Sequence, residues 1–128
     1  MATLLQTQLE RFEPDVTVVH MTGKITLGPD SQGLEALVHE LLKKDEKKVV
    51  FDLAAVSYID STGMGVIVSC LSKLMKAGGG LRLAGVIDRV RHLFKITRLD
   101  NIVAFYPTVL AAVESFQPPR QPGNENNW

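Results

Sequence analysis

The sequence predicts a single α/β domain with a mixed, mostly parallel sheet and about four helices. The first observation is an apolar run at residues 49–51, closed by Asp52, which is typical of a strand buried on both faces. The second is a change of period after Asp60, where apolar residues recur at helical spacing. The third is the alternation of strand and helix patterns, which favours parallel strands with right-handed crossovers. A chain of 128 residues is long enough for one domain with a substantial core.

An antiparallel hairpin is predicted at the beginning of the chain. Residues 4–12 alternate loosely between apolar and polar, a proline–aspartate pair supplies a turn, and residues 16–22 form a β-branched run. A helix is expected next, with Asp30 or Ser31 as its N-cap. The inward stripe of this helix consists of Leu34, Leu37, Val38, Leu41 and Leu42.

The central strand, residues 47–53, leads through a short link into the longest predicted helix. The link ends at Asp60, Ser61 and Thr62, whose side-chain oxygens are suited to cap the free N–H groups of a first helical turn. A hydroxyl group is therefore expected at the positive end of this helix. The stripe expected to face the core consists of Met64, Ile67, Val68, Leu71, Leu74 and Met75.

The elements that follow are shorter. Residues 81–84 predict a strand, Asp88 is expected to cap a third helix, and residues 102–106 predict a further strand. Pro107 is expected in the first turn of a final helix. The inward side of that helix consists of Leu110, Val113 and Phe116.

Composition changes sharply after Phe116, where proline, glutamine and asparagine replace apolar residues. Such a segment has little to bury, so we expect it to be a flexible tail. The predicted organisation is a domain over residues 1–116 and a tail over residues 117–128.

Charge and cysteine content exclude several classes of protein. Lysine plus arginine and aspartate plus glutamate both number 14, so no overall field attracts nucleic acid or anionic lipid. The N-terminal residues lack the basic-then-apolar pattern of a signal peptide, and apolar runs long enough to span a membrane are absent from the sequence. We expect a soluble, cytoplasmic protein without direct nucleic-acid binding or membrane insertion. Cys70 is the only cysteine, which excludes an internal disulfide, and its place in an apolar helix favours a buried packing residue.

Catalytic motifs are also missing. Ser61 follows a strand and opens a helix, as hydrolase nucleophiles do, but Ile59 stands where the first glycine of Gly-x-Ser-x-Gly is required. The three histidines lie in predicted strands or helices without a partner that would make them bases. P-loop and dinucleotide fingerprints and metal-ligand spacings do not occur. We therefore predict no enzymatic activity, no cofactor and no metal site.

The remaining chemistry for a hydroxyl at a helix N-terminus is to accept a phosphoryl group. A phosphate on Ser61 would carry about −1.5 to −2 charges and would meet the free N–H groups of the helix. The helix-end interaction is worth only about 0.3–1 kcal/mol, and Asp60 opposes it, so the effect on folding is small. At a protein interface the same charge costs several kcal/mol, which favours control of binding. A purely structural capping role for Ser61 and Thr62 is the alternative.

Two segments of the sequence resemble the signature of the STAS domain, the fold of bacterial anti-sigma factor antagonists. These segments are Val-Val-Phe-Asp-Leu at residues 49–53 and Val-Ser-Tyr-Ile-Asp-Ser-Thr-Gly-Met-Gly at residues 56–65. The element order resembles that of the family over residues 16–116. The resemblance implies that Ser61 is phosphorylated by a serine kinase that is also the anti-sigma factor, and that a phosphatase reverses this. It further implies that the helix start facing the partner consists of Asp60, Thr62, Gly63, Met64 and Gly65, whose two glycines would let another protein approach closely.

By the same resemblance, the unphosphorylated antagonist binds the anti-sigma factor and frees a sigma factor. One position departs from the family, because Thr26 stands where an acidic residue usually follows the turn of the second strand. This departure concerns the identity of the partner and leaves the fold prediction unchanged. The alternative functions within the family are a non-phosphorylated scaffold of a signalling complex and an accessory subunit of a lipid transporter.

Overall fold

The computed structural model describes residues 5–117, which contain five strands and four helices. In chain order these are β1 (Leu5–Phe12), β2 (Val16–Ile25), α1 (Pro29–Lys43), β3 (Lys48–Ile59), α2 (Ser61–Lys76), β4 (Gly80–Ala84), α3 (Asp88–Ile96), β5 (Ala104–Tyr106) and α4 (Val109–Glu114). Residues 118–128, most of the predicted tail, lie outside the described part. Gln117, its first residue, continues the turn after α4 and donates its backbone N–H to the Glu114 carbonyl oxygen.

The strands form one sheet in the order β1-β2-β3-β4-β5. β1 runs antiparallel to β2 as the predicted hairpin, and every other neighbouring pair is parallel. Phe51 in β3 therefore lies between Val19 of β2 and Leu83 of β4. The predicted α/β class, with a mixed and mostly parallel sheet and four helices, is confirmed.

The two faces of the sheet are covered unequally. Helices α1, α2 and α3 all pack on the face that carries Phe51, where they form the main core with fully buried residues such as Ile67 and Phe94. The opposite face carries Val50, and α4 packs there on a smaller apolar cluster. Because alternate residues of a strand point to opposite faces, the run at the centre of β3 supplies both cores.

Residues 54–59 belong to β3, so the predicted link is wrong. This segment continues the parallel ladder with β2, pairing Ala55 with Thr22 and Ile59 with Ile25. Register shifts interrupt this ladder between His20 and Thr22 and again between Gly23 and Lys24. The local irregularity gives the sequence the mixed pattern that resembles a loop.

Three helices begin at residues other than those predicted. α1 begins at Pro29 with Gly28 as N-cap, so neither Asp30 nor Ser31 is the cap residue; proline already has the backbone angle that a first helical position requires. The cap of α3 is Ile87, and Asp88 is its first helical residue. α4 begins two residues after Pro107, because the Thr108 hydroxyl accepts a hydrogen bond from the Ala111 N–H.

Three apolar side chains predicted to face the core or to lie in a strand are exposed instead. Met75, Ile102 and Leu110 are 61%, 52% and 57% exposed. Met75 lies beside a shallow groove that Ile102 also lines, and the turn of residues 99–103 replaces the start of the predicted strand. Among residues 5–117, no helix combines the length and apolarity needed to cross a lipid bilayer.

Candidate functional site

The candidate site lies where β3 ends and α2 begins, at the edge of the sheet formed by the carboxyl ends of the parallel strands. Ser61 is the first residue of α2, so the hydroxyl predicted at the positive end of a helix is found there. The last residue of β2, Ile25, pairs with Ile59, the last residue of β3. The segment after β2 and the first turn of α2 are therefore neighbours.

Asp60 joins these two segments through its backbone and its side chain. Its N–H donates to the Ile25 carbonyl oxygen at 3.1 Å. One carboxylate oxygen, Oδ1, accepts from the Gly63 N–H at 2.7 Å, and the other, Oδ2, accepts from the Leu27 N–H at 2.9 Å. Asp60 is thus the N-cap of α2 and also fixes the loop that follows β2.

Gly63 and Met64 are buried under the start of the helix. A Cβ at position 63 would lie 2.2 Å from the Ile25 carbonyl oxygen, so the close approach that needs glycine here is made by this chain's own backbone. The Met64 sulfur lies 3.4 Å from the Thr97 hydroxyl oxygen, at the end of α3. Both residues fix the position of the turn from within.

Ser61, Thr62 and Gly65 are exposed on the outer side of the same turn. Helix geometry leaves the N–H groups of Ser61 and Thr62 without an acceptor inside the helix, because they belong to its first turn. A Cβ at Gly65 would meet no atom within 4 Å, so a partner's backbone has room there. The turn therefore presents an exposed hydroxyl, two amide donors without an intrahelical acceptor and an open surface.

Leu27 is part of this surface and escaped the sequence prediction. Its side chain is 75% exposed although its backbone N–H is held by Asp60. The sequence does contain an indication that this side chain is exposed. Leu27 is an isolated leucine between a strand and a Gly-Pro turn, and it belongs to the apolar pattern of neither the strand nor the helix that follows. Thr26, where the resemblance implies an acidic residue, directly precedes it.

The Cys70 thiol of α2 is buried and lies outside the turn. Burial raises the pKa of the Cys70 thiol to about 12, with Glu35 adding to the shift, so the thiolate that would act as nucleophile or ligand is disfavoured. Within residues 5–117, histidine, cysteine, aspartate and glutamate side chains do not form a group of three suited to hold a metal ion.

Comparisons with known proteins place this geometry in context. The model of the STAS domain family matches residues 9–112. The anti-sigma-B factor antagonist of Listeria monocytogenes is 46% identical over 97 residues, which is 75% of this chain and 83% of the relative.

Two solved structures extend the likeness to the fold. A Thermotoga maritima protein provisionally assigned as an anti-sigma factor antagonist has a TM-score of 0.75 at 27% identity, covering 88% of this chain and 95% of its own. The Bacillus cell fate determinant SpoIIAA, solved in its phosphorylated form, has a TM-score of 0.67 at 17% identity, covering 86% of this chain and 98% of its own.

Proposed function

We propose, because this chain belongs to the STAS domain family, that it is an anti-sigma factor antagonist controlled by phosphorylation of Ser61. The relative from Listeria monocytogenes, which shares almost half of the aligned residues, is named for that activity. This regulatory role needs no catalytic residues in the antagonist itself. The single observation that carries the regulatory part of the proposal is the exposed Ser61 hydroxyl on the first residue of α2.

The surroundings of Ser61 fit a residue that alternates between hydroxyl and phosphate. The N–H groups of Ser61 and Thr62 are free of intrahelical acceptors, whereas the Gly63 N–H is already bonded to Asp60. A phosphate would gain about 0.3–1 kcal/mol from the helix end, and repulsion from the Asp60 carboxylate would oppose this gain. Modification should therefore leave the stability of the domain nearly unchanged.

The effect on a bound partner is larger. A phosphate buried against a protein surface without a matching cation is a desolvated charge, which costs several kcal/mol. Because 1.4 kcal/mol is a factor of ten in affinity, a cost of this size is enough to release a partner. We infer that phosphorylation acts by excluding the partner from the turn.

The residues of the turn divide into two groups in this proposal. Asp60, Gly63 and Met64 shape the turn, since the Asp60 carboxylate is used within the chain and the other two are buried. Ser61, Thr62 and Gly65 form the surface that contacts the partner, because they are exposed. Of the six residues expected from the sequence, three are proposed to contact the partner directly and three to shape the turn.

The proposed partner is an anti-sigma factor that is also the serine kinase acting on Ser61. In the unphosphorylated form, the chain would bind this protein and free a sigma factor. A phosphatase would return phosphorylated Ser61 to the binding form. We place these reactions in the cytoplasm and propose no direct contact between this chain and nucleic acid.

The test is a binding titration against the anti-sigma factor kinase encoded in the same genome. Wild-type protein and Ser61→Ala should bind, and Ser61→Glu should bind at least tenfold more weakly. Ser72→Glu is the matched control, because Ser72 is exposed on α2 about three turns further along. Equal affinities of Ser61→Ala and Ser61→Glu would contradict the switch.

A second measurement separates the switch from the scaffold alternative. Intact-mass and site-mapping analysis of protein purified from its host should find a phosphate on Ser61 that a serine phosphatase removes. Thr62→Ala should leave this phosphate in place, which distinguishes the two neighbouring hydroxyls. An unmodified Ser61 under every growth condition would favour a constitutive scaffold, in which the hydroxyl has no regulatory role.

A further inference from the structure

Three titratable side chains meet on three neighbouring strands, on the sheet face that carries α4. The Nδ1 atom of His20 in β2 lies 2.6 Å from Asp52 Oδ2 in β3, and its Nε2 atom lies 2.7 Å from Glu10 Oε1 in β1. His20 and Asp52 each lie two residues beyond Val18 and Val50, which belong to the apolar cluster under α4. The carboxylate–imidazole–carboxylate chain thus extends across the sheet where that cluster ends.

The two distances constrain the protonation state of the ring. A neutral imidazole has one N–H donor and one acceptor nitrogen, whereas an ionised carboxylate only accepts. Both nitrogens lie at hydrogen-bonding distance from a carboxylate oxygen, so both bonds form only when both nitrogens carry a proton. The described geometry is that of an imidazolium between two carboxylates.

The charged groups around the ring agree with this assignment. Asp52 is the charged neighbour on β3 and Glu10 is the charged neighbour on β1, and the polar groove beside the ring adds only uncharged Gln6, Thr7, Gln8 and Thr22. Hydrogen bonding to Asp52, and next to Glu10, raises the pKa of His20 above its ordinary value of 6.5, and partial burial opposes the rise.

We propose that Glu10, His20 and Asp52 form a proton-operated clamp that fixes the edge strand β1 to the sheet. Within the sheet described for residues 5–117, β1 pairs with β2 alone, so the clamp adds to the single ladder that holds it there. Loss of the proton to solvent leaves one ring nitrogen facing a carboxylate without a hydrogen atom between them. One of the two bonds is then lost, and β1 is held less firmly.

The sign of the pH dependence follows from the raised pKa. The folded state binds the proton more tightly than the unfolded state does, so the clamp contributes fully below pH 6.5 as long as both carboxylates are ionised. Its contribution falls as the pH rises through the folded-state pKa of His20. The pH window over which the clamp is lost therefore begins at 6.5 and ends at the folded-state pKa of His20, which lies higher.

The first test is an NMR titration of the imidazole of His20 in the folded protein. We expect a pKa above 6.5 in the wild type and a lower pKa in both Glu10→Gln and Asp52→Asn. His39→Gln, a change on the exposed side of α1, is the matched control and should leave the titration of His20 unchanged. A pKa at or below 6.5 in the wild type would overturn the clamp.

The second test measures amide hydrogen exchange in β1 relative to β4, because the ratio cancels the common dependence of exchange on hydroxide. As the pH rises through the His20 pKa, protection of β1 should fall about two- to fivefold relative to β4, as expected for partly exposed ion pairs. The ratio should be flat in His20→Gln. Glu10→Gln is the second variant, since Glu10 is half exposed and its replacement is tolerated more easily. An equal pH dependence in wild type and Glu10→Gln would also overturn the clamp.

Discussion

Replacing Gly63 by alanine is the sharpest test of how the site is built. The new Cβ would lie 2.2 Å from the Ile25 carbonyl oxygen and 2.9 Å from its carbonyl carbon, and both atoms belong to the backbone. Real Cβ atoms essentially never lie closer than 3.0 Å to another heavy atom, so the start of α2 and the end of β2 must separate by at least 0.8 Å. Such a movement stretches the 3.1 Å bond from the Asp60 N–H to the same oxygen beyond hydrogen-bonding distance.

The expected loss of stability can be assembled from these contacts. Overpacking costs about 1–3 kcal/mol and the lost hydrogen bond about 0.5–1.5 kcal/mol, while alanine gains at most about 1 kcal/mol in helix propensity. The free energy of unfolding should therefore fall by about 2 kcal/mol. For a domain of this size, the melting temperature should fall by about 5–10 °C.

Urea unfolding and calorimetry of two variants provide the assay. Gly65→Ala is the matched control, because it lies in the same helical turn and its Cβ would meet no atom within 4 Å. This variant should be as stable as the wild type or up to about 1 kcal/mol more stable. If Gly63→Ala were as stable as Gly65→Ala, the close packing of the helix start on the end of β2 would be refuted.

Three further predictions follow from individual side chains. Asp60→Ala should lower the free energy of unfolding by about 1–2 kcal/mol in urea, because two backbone N–H groups lose their acceptor. Asp60→Asn should lose less. Wild-type stability of Asp60→Ala would contradict the role of Asp60 in joining α2 to the loop after β2. The Cys70 thiol should react with a chromogenic disulfide at about pH 8 only after denaturation, because it is buried and its pKa is raised to about 12. Rapid reaction of the native protein would contradict this. Ser69, and next Lys73, lower the pKa of Glu35, so Glu35→Gln should reduce stability at neutral pH, and this cost should shrink as the pH falls through the folded-state pKa of Glu35; a pH-independent cost would contradict this.

The elements that the sequence predicts well are those whose identity depends on burial. The apolar run of β3 and the stripe of α2 follow from periodicity, because a residue buried on a regular element must recur at the period of that element. Helix starts were less predictable. Gly28 and Pro29 set the beginning of α1 through backbone geometry, which outweighs the side-chain capping that Ser31 offers.

The features of the site that the sequence does not predict depend on contacts between residues that are far apart in the chain. The positions of Asp60 and Ser61 at a helix start could be predicted locally. The second side-chain bond of Asp60, however, joins it to a backbone amide 33 residues away. The need for glycine at position 63 likewise arises from Ile25, on another strand. The meeting of His20 with Asp52 depends on strand register, which local periodicity does not determine.

The order of the strands has a consequence for how the chain is made. The five strands lie side by side in the order of synthesis, from β1 to β5. The neighbour on which each new strand can dock has therefore already left the ribosome. No strand of the described sheet has to wait for a later one to fill a gap between earlier neighbours. Contacts of short sequence separation favour fast folding. This topology therefore suits vectorial, cotranslational growth of the sheet, with α4 closing the second apolar cluster as the last step.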